Sequence, residues 1–415
     1  MTWHVAPLSD SPPILCPPVD APRSAYVHIP FCRRRCFYCD FPIAVAGDRA
    51  RGETSPRIQH YVETLCREIA ATSVQGGSLE TVFFGGGTPS LLSVDQVEQI
   101  LTALRDRFSI ADGAEISMEM DPGTFTADTL GALHRLGINR VSLGVQSFQD
   151  DLLAACGRTH RRVDVEAAIA AIQQVGLKNW SLDLISGLPH QTLADWEAGL
   201  HQAIAANPAH LSIYDLTIEP NTVFHRRYAP GDAPLPSDDH TTAMYRLAQH
   251  TLTAAGYDHY EISNYARSGY QCRHNRVYWQ NRAYYGFGMG ATSYTQHQRF
   301  GRPRTTHDYE AWVAAHEQQG GHLAIAPTPP GEQLFDHLMV GLRLAEGVDL
   351  DRLATQFGAA VIPILRDRLQ PFVEKGWVGF AEAPTPRVYL TDPEGFLFSN
   401  VVLIALFETW GDRGN

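Results

Sequence analysis

No stretch of the 415-residue chain is apolar for long enough to cross a bilayer; the longest clean run, Val401 to Phe407, falls far short. The first residues lack both the basic segment and the apolar segment of a secretory signal. Pro12, Pro13, Pro17 and Pro18 mark residues 1–20 as a mobile, Pro-rich tail instead. Basic charge is also scarce, with 33 Lys+Arg against 45 Asp+Glu and a net charge of -12. Nucleic-acid binding needs clustered Lys and Arg, so no nucleic-acid partner is expected. Cysteine is sparse too. Seven thiols make no disulfide scaffold, and an odd number leaves at least one unpaired. The expectation is a soluble, cytoplasmic protein without a transmembrane segment, with peripheral membrane contact left open.

What is present is an ordinary folded composition, 44% hydrophobic and 19% charged, in a length that allows two or three domains. From Ala25 onward, short β-rich runs alternate with longer amphipathic stretches. The strands are expected at Ala25–Ile29, Thr81–Phe84, Ile116–Met120, Arg140–Gly144, Ser181–Ile185 and Leu211–Leu216. Helical patterns lie near Arg57–Thr72, Ser93–Phe108, Ala127–Leu136, Val163–Val175, Thr192–Ala205 and Asp238–Ala255, with Ser93 and Glu98 reading as a helix start. Six β/α units in series imply an α/β fold with a parallel sheet, a partial (β/α)6 TIM-like barrel open on one side. Chemistry in such folds gathers at the C-terminal ends of the strands.

The barrel is expected over residues 21–256, followed by an aromatic- and Gly-rich extension over 257–325. Tyr257–Ser263 could add a strand. Ala326, Pro327, Pro329 and Pro330 read as a linker. Residues 326–415 then give helices at Gln333–Leu344, Arg352–Phe357 and Val361–Lys375, a β pair at Trp377–Phe380 and Arg387–Leu390, and a last helix. That order is the order of a small winged-helix-like α+β domain. Its 7 Lys+Arg and 12 Asp+Glu over residues 331–415 give 7 − 12 = −5, which speaks against DNA reading.

Three of the seven cysteines crowd into the segment Cys32-Arg-Arg-Arg-Cys36-Phe-Tyr-Cys39, directly after the first strand. A C-x3-C-x2-C array can wrap one face of an iron–sulfur cube and leave one of the four irons open. Structural zinc prefers four closed ligands, and no second cysteine pair exists here. The array resembles the cluster motif of the radical S-adenosylmethionine (SAM) enzymes. There the cofactor's amino and carboxylate groups chelate the open iron, and reduction cleaves the sulfonium to a 5′-deoxyadenosyl radical. The context Tyr26-Val-His28-Ile-Pro-Phe-Cys32 narrows the resemblance to the anaerobic coproporphyrinogen III oxidase family, including its HemW-like, haem-chaperone branch. Matching motifs run from Tyr26 to about Tyr294.

The resemblance implies a 4Fe–4S cluster on Cys32, Cys36 and Cys39, with SAM beside it. Gly86, Gly87 and Thr88 follow the second strand and match the motif that holds the methionine amino group; Tyr26 lies near. Consecutive glycines let backbone N–H groups approach a ligand. Glu119 is an acid at a strand end where an apolar residue would be expected, and it matches a contact to the first cofactor. Gln146, Arg158 and Asp183 match positions associated with a second SAM; whether one binds stays open. Each alone could be a satisfied interior polar residue, but together they describe a lined cavity. Arg33, Arg34 and Arg35 read either as a solvated loop or as partners for carboxylates such as haem propionates.

Two features bear on activity. The oxidase motif extends to a fourth cysteine, and Phe41 stands in its place here, followed by Pro42. The segment Cys272-Arg-His274-Asn275-Arg-Val-Tyr278-Trp279 resembles the H-N-x-x-Y-W motif of HemW-like proteins. His274, Asn275, Tyr278 and Trp279 are therefore haem candidates, since histidine ligates haem iron and aromatics offer a porphyrin flat surface. A packed structural corner is the competing reading of the same residues. The expected function is a haem chaperone that passes haem to acceptor proteins. The alternative is oxygen-independent coproporphyrinogen III oxidase, and a plain iron–sulfur carrier ranks third.

Overall fold

The computed structural model describes residues 20–48, 51–321 and 328–410. The tail expected at 1–20 lies outside the described residues except for Asp20, as do Cys16 and linker residues Ala326 and Pro327. Nine strands form the main sheet: β1 (Ser24–Ile29), β2 (Leu79–Gly86), β3 (Ile110–Met120), β4 (Arg140–Gln146), β5 (Trp180–Ser186), β6 (His210–Asp215), β7 (Asp258–Glu261), β8 (Asn264–Ala266) and β9 (Tyr285–Phe287). Their order is β9-β1-β2-β3-β4-β5-β6-β8-β7. The first seven in that order pair parallel. Such strands are covered on both faces, which is why Ala25, Val27, Ile29, Val82, Phe84, Leu182 and Leu211 are all fully buried.

The six expected strands and their helices are present, with ends shifted by a few residues. Sequence and fold differ at three places. The seventh strand expected at Tyr257–Ser263 is a hairpin, β7 and β8, that pairs antiparallel at the β6 edge. At the other edge β9 runs parallel to β1. The expected extension thus supplies both flanking strands, and all of it described here except Trp279–Asn281 belongs to the barrel's compact unit. The third difference is the cap of Val94–Phe108. Ser93 accepts from Gln96 N and the Gln96 side chain accepts from Ser93 N, so Gln96 rather than Glu98 completes the box.

Helix Pro56–Ala71 shows how the outer layer is held. Ser55 caps it and Pro56 starts it. Ile58, Val62, Leu65 and Ile69 are fully buried at helical spacing. Each contributes about 1.5–3 kcal/mol by burial, so Leu65→Ala costs about 2–5 kcal/mol once the cavity is included.

The second compact unit comprises Trp279–Asn281 and the described residues from Thr328 onward. Its helices Pro330–Gly341, Leu350–Phe357 and Val361–Glu374 precede the hairpin Val378–Ala381 and Arg387–Leu390, and Ser399–Trp410 ends it. Val348–Asp349 adds a third strand beside Arg387–Leu390. This is the helix–strand–helix–helix–hairpin order of a winged-helix unit, closed around fully buried Leu353, Leu365, Leu369 and Val388. Among the described residues no helix is long and apolar enough to cross a membrane.

Candidate cofactor site

The register of β1 on β2, with Ile29 opposite Gly86, brings two loops out of the sheet side by side. Gly87 N donates to Ile29 O at 2.8 Å and Thr88 N to Phe31 O at 2.7 Å, which clamps the glycine turn to the cysteine loop. A Cβ on Gly87 would lie 2.7 Å from Phe31 O, so only glycine allows this approach. The cysteine loop is fixed from other sides too. Phe37 N donates to Cys156 O at 2.9 Å, and His28 Nε2 donates to Pro42 O at 3.0 Å. His28 Nδ1 then accepts from the Tyr26 hydroxyl at 3.0 Å.

The three cysteines line a cavity of about 480 Å³ at the C-terminal ends of the strands. All three are free and half-buried. Burial, followed by Asp121, pushes the Cys32 thiol up to about 12, so its thiolate needs a metal to be favoured. Arg158 Nη1 lies 3.5 Å from the Cys36 sulfur, a cation placed where a thiolate would form. Among the described residues no three Cys, His, Asp or Glu side chains converge on one ion. Three thiols on one cavity, with no fourth cysteine in its lining, suit a cube in which each cysteine binds a different iron and one iron stays open. The donor set therefore fits a 4Fe–4S cluster better than a mononuclear metal.

Gly86, Gly87, Thr88, Glu119, Gln146, Arg158 and Asp183 line the same cavity. The residues expected for a first and a second cofactor thus share one space. Glu119 accepts from Gly86 N at 2.9 Å, and burial, with Asp183 and Asp121 adding, pushes its carboxyl up to about 8. A cationic or N–H-bearing ligand would favour its charged form. Arg158 donates to Asp121 Oδ1 at 2.5 Å and to Gly144 O at 2.9 Å. Asp183 accepts from Ser142 at 3.0 Å and from Ser181 at 3.1 Å, while its burial raises its pKa. Gln146 ends β4 with φ at 67°, left-handed backbone that side chains rarely adopt.

Asp121 was missed at the sequence level. It accepts from both Arg158 and Thr88, the latter at 3.1 Å. Its signal was the i, i+2 spacing from Glu119, which points both acids to one face of a strand and its extension. Tyr214, at the end of β6, was missed as well and stands in the cavity 44% exposed.

Tyr26 faces a second, smaller chamber of about 170 Å³ within the barrel, lined also by Phe83, Arg140, Ser212, His274, Asn275 and Tyr278. Glu119, Ser142, Asp183 and Tyr214 border both spaces. Both ring nitrogens of His274 are engaged: Nδ1 with the Thr81 hydroxyl at 2.7 Å, Nε2 with the Tyr278 hydroxyl at 2.8 Å. Burial and then Arg140 lower its pKa to about 3, so it stays neutral. Glu115 accepts from the amides of Arg273 and His274 at 3.2 and 3.0 Å and from the Cys272 thiol at 3.7 Å. Trp279 is not with these residues. It groups with the second unit, where Arg343 lies 5.6 Å from its ring. The structure thus brings together three of the four haem candidates, inside the barrel, with no ring nitrogen of His274 free.

A profile of the radical SAM superfamily matches residues 26–203, and one of the HemN C-terminal domain matches residues 329–384. The heme chaperone HemW of Synechocystis sp. is 49% identical over 399 residues, covering 93% of this chain and 96% of the relative. This chain belongs to the HemW family of the radical SAM superfamily. HemW of Bacillus subtilis is 34% identical, covering 92% of this chain and 98% of its own. The solved structure of coproporphyrinogen III oxidase (HemN) from Escherichia coli, a radical SAM enzyme, superposes with a TM-score of 0.77 at 24% identity. It covers 93% of this chain and 90% of that one, and shows that the two share the radical SAM fold with a C-terminal domain. The superfamily implies an iron–sulfur cluster and SAM.

Proposed function

We propose that this chain is a haem chaperone of the cytoplasm that binds haem and passes it to acceptor proteins, with a 4Fe–4S cluster held by Cys32, Cys36 and Cys39. SAM lies against Gly86, Gly87, Thr88 and Glu119, with Tyr26 behind Glu119 across the barrel chamber. Gln146, Arg158 and Asp183 line the remainder of the same cavity. When bound, the cluster supplies an electron and an open iron for the cofactor's amino and carboxylate groups.

The observation that carries the chaperone reading over an oxidase is the residue after the third cysteine and its neighbour. Where the oxidase motif has a fourth thiol, this loop presents Phe41, 55% exposed at the edge of the cavity. A phenylalanine can neither ligate iron nor move a proton or electron pair, but it offers a face to a flat apolar ligand. Kinship to relatives named heme chaperones supports the same reading, whereas likeness to the oxidase supports the fold alone. His274 and Tyr278 enter as the packed base of the barrel, since both ring nitrogens and the hydroxyl are already paired.

The test is haem titration of purified protein, with and without reconstituted cluster, beside an anaerobic coproporphyrinogen III assay. Stoichiometric haem binding without decarboxylation is expected. Conversion of coproporphyrinogen III to protoporphyrinogen IX at an enzyme-like rate would overturn the reading.

A further inference from the structure

The three consecutive arginines of the cluster loop have three different fates. Arg35 donates to the carbonyls of Cys39 and Phe41, both at 3.1 Å, and of Ile43 at 3.4 Å. It is a bracket that holds the turn carrying Phe41. Arg34 is exposed and pairs with Asp48, Nε to Oδ1 at 2.8 Å. Arg33 is half-buried in the cavity wall and, among the described residues, makes no hydrogen bond or ion pair. Its Nε is sealed from solvent without an acceptor.

A guanidinium does not give up its proton in a protein, so an unpaired one in a cavity wall marks a place for an anionic group. The apolar surface beside it is of one kind. Phe41 is 55% exposed and Tyr214 is 44% exposed, both bordering the same cavity, with Ile43, Ile185 and Leu216 between polar neighbours. Tyr214 lines this cavity and borders the chamber below it. Of the carboxylates of this rim, Asp215 ends β6 and Glu219 follows it, on a different segment from the arginines, while Asp40 is exposed on the arginine loop beside Phe41. An occupant with an aromatic plane and carboxylates at one edge fits this distribution. The chamber below also holds a guanidinium with an unpartnered Nε, that of Arg140, but at about 170 Å³ it has no room for a tetrapyrrole.

Resting on the chaperone reading, we infer that haem docks at the mouth of the cluster cavity, its plane against Phe41 and Tyr214 and a propionate on Arg33. Arg34, exposed beside it, is the second cation available to the other propionate once it leaves Asp48. Haem specificity then comes from a carboxylate–guanidinium contact and aromatic faces rather than from ligation by His274.

The experiment is a Soret-band titration of the cluster-loaded full chain with haemin and with haemin dimethyl ester, whose propionates carry no charge. Wild type, Arg33→Ala, Arg33→Lys and Phe41→Ala are compared, with iron content and SAM affinity measured on each. Arg33→Ala should weaken haemin binding about tenfold, with Arg33→Lys partly restoring it. The dimethyl ester should bind the wild type about tenfold less tightly than haemin and should not distinguish wild type from Arg33→Ala. Phe41→Ala should weaken both ligands. Both positions are at least partly exposed, so the fold should hold, and unchanged circular dichroism checks it. If wild type binds haemin and neither substitution changes affinity, the mouth site is wrong while the chaperone reading stands. An Arg33→Ala effect on SAM affinity alone would assign the cation to the cofactor's carboxylate and overturn the proposal. Absence of haemin binding by wild type would remove the chaperone reading itself, and this inference with it.

Discussion

The mouth and the floor of the barrel are built from the same residue types and put to opposite uses. At the floor, His274, Tyr278, Thr81, Cys272 and Glu115 bond to one another until little hydrogen-bonding capacity is left. At the mouth, three free thiols, a half-buried Glu119 and an unpaired Arg33 leave capacity that a ligand can take up. Residue identity alone does not separate a ligand from a strut. What separates them is whether the lone pairs and protons are already spent inside the protein.

The sharpest way to break this comparison is at the mouth. Cys36→Ser should abolish the reconstituted cluster, read as loss of bound iron and sulfide and of the broad visible absorbance. Iron retained at the wild-type level would dismiss the ligand assignment. Glu119→Gln keeps the shape but removes the charge, and should weaken SAM roughly 10- to 100-fold by equilibrium dialysis. Undiminished binding would make Glu119 only a brace for the Gly86 amide.

At the floor the expected effects are on stability. His274→Ala should cost about 2–4 kcal/mol in urea unfolding, from a lost pair of buried hydrogen bonds and the space left behind. Its haem affinity should stay within about twofold of wild type when the variant is folded. A tenfold loss in a folded variant would bring the floor into the haem site.

The mildest test is pH. His28 and His160 are pushed down to about 4 and His274 to about 3, each chiefly by burial. Below about 6.5 the unfolded chain takes up protons that the folded chain refuses, so their stabilisation is complete above that pH and declines as pH falls toward 4. The slope is about 1.4 kcal/mol per pH unit for each fully linked histidine. Glu119, raised to about 8, runs the other way, because the folded state gains a proton first as pH falls through 8. His210 and His337 are lowered as well and Asp183 and Asp215 raised, so five histidines stand against three carboxyls and urea midpoints should drop between pH 6.5 and 4.5. A flat profile over that interval would mean the histidines are not buried neutral.

The repeating part of the fold was legible because each barrel strand is a compact apolar run closed by a turn and followed by a 3.6-period helix. The strand β9 was not, since Tyr285–Phe287 is three residues long and is defined by its partner β1, some 260 positions earlier. The cysteine triplet and the glycine turn were legible because their chemistry is local. His274 was not, because its role depends on Thr81, which is 193 residues away in sequence. The arginines show the same limit at short range. Three identical neighbours could be read only as a group, and it is the fold-back of Asp48 and of the Cys39–Ile43 carbonyls that makes them a surface pair, a bracket and an unpaired charge.

The hydrogen bonds donated by the amides of Gly87 and Thr88 to the carbonyls before and after Pro30 bear on what holds the receptacle together. These bonds and the strand pairing hold the two loops together with protein groups alone. Many small metalloproteins spend the free energy of metal binding on folding and collapse without it. Here the receptacle is completed by the barrel's own hydrogen bonds and core. Removing the cluster should therefore leave the chain folded and able to be reloaded, read as an unchanged urea midpoint before and after iron chelation.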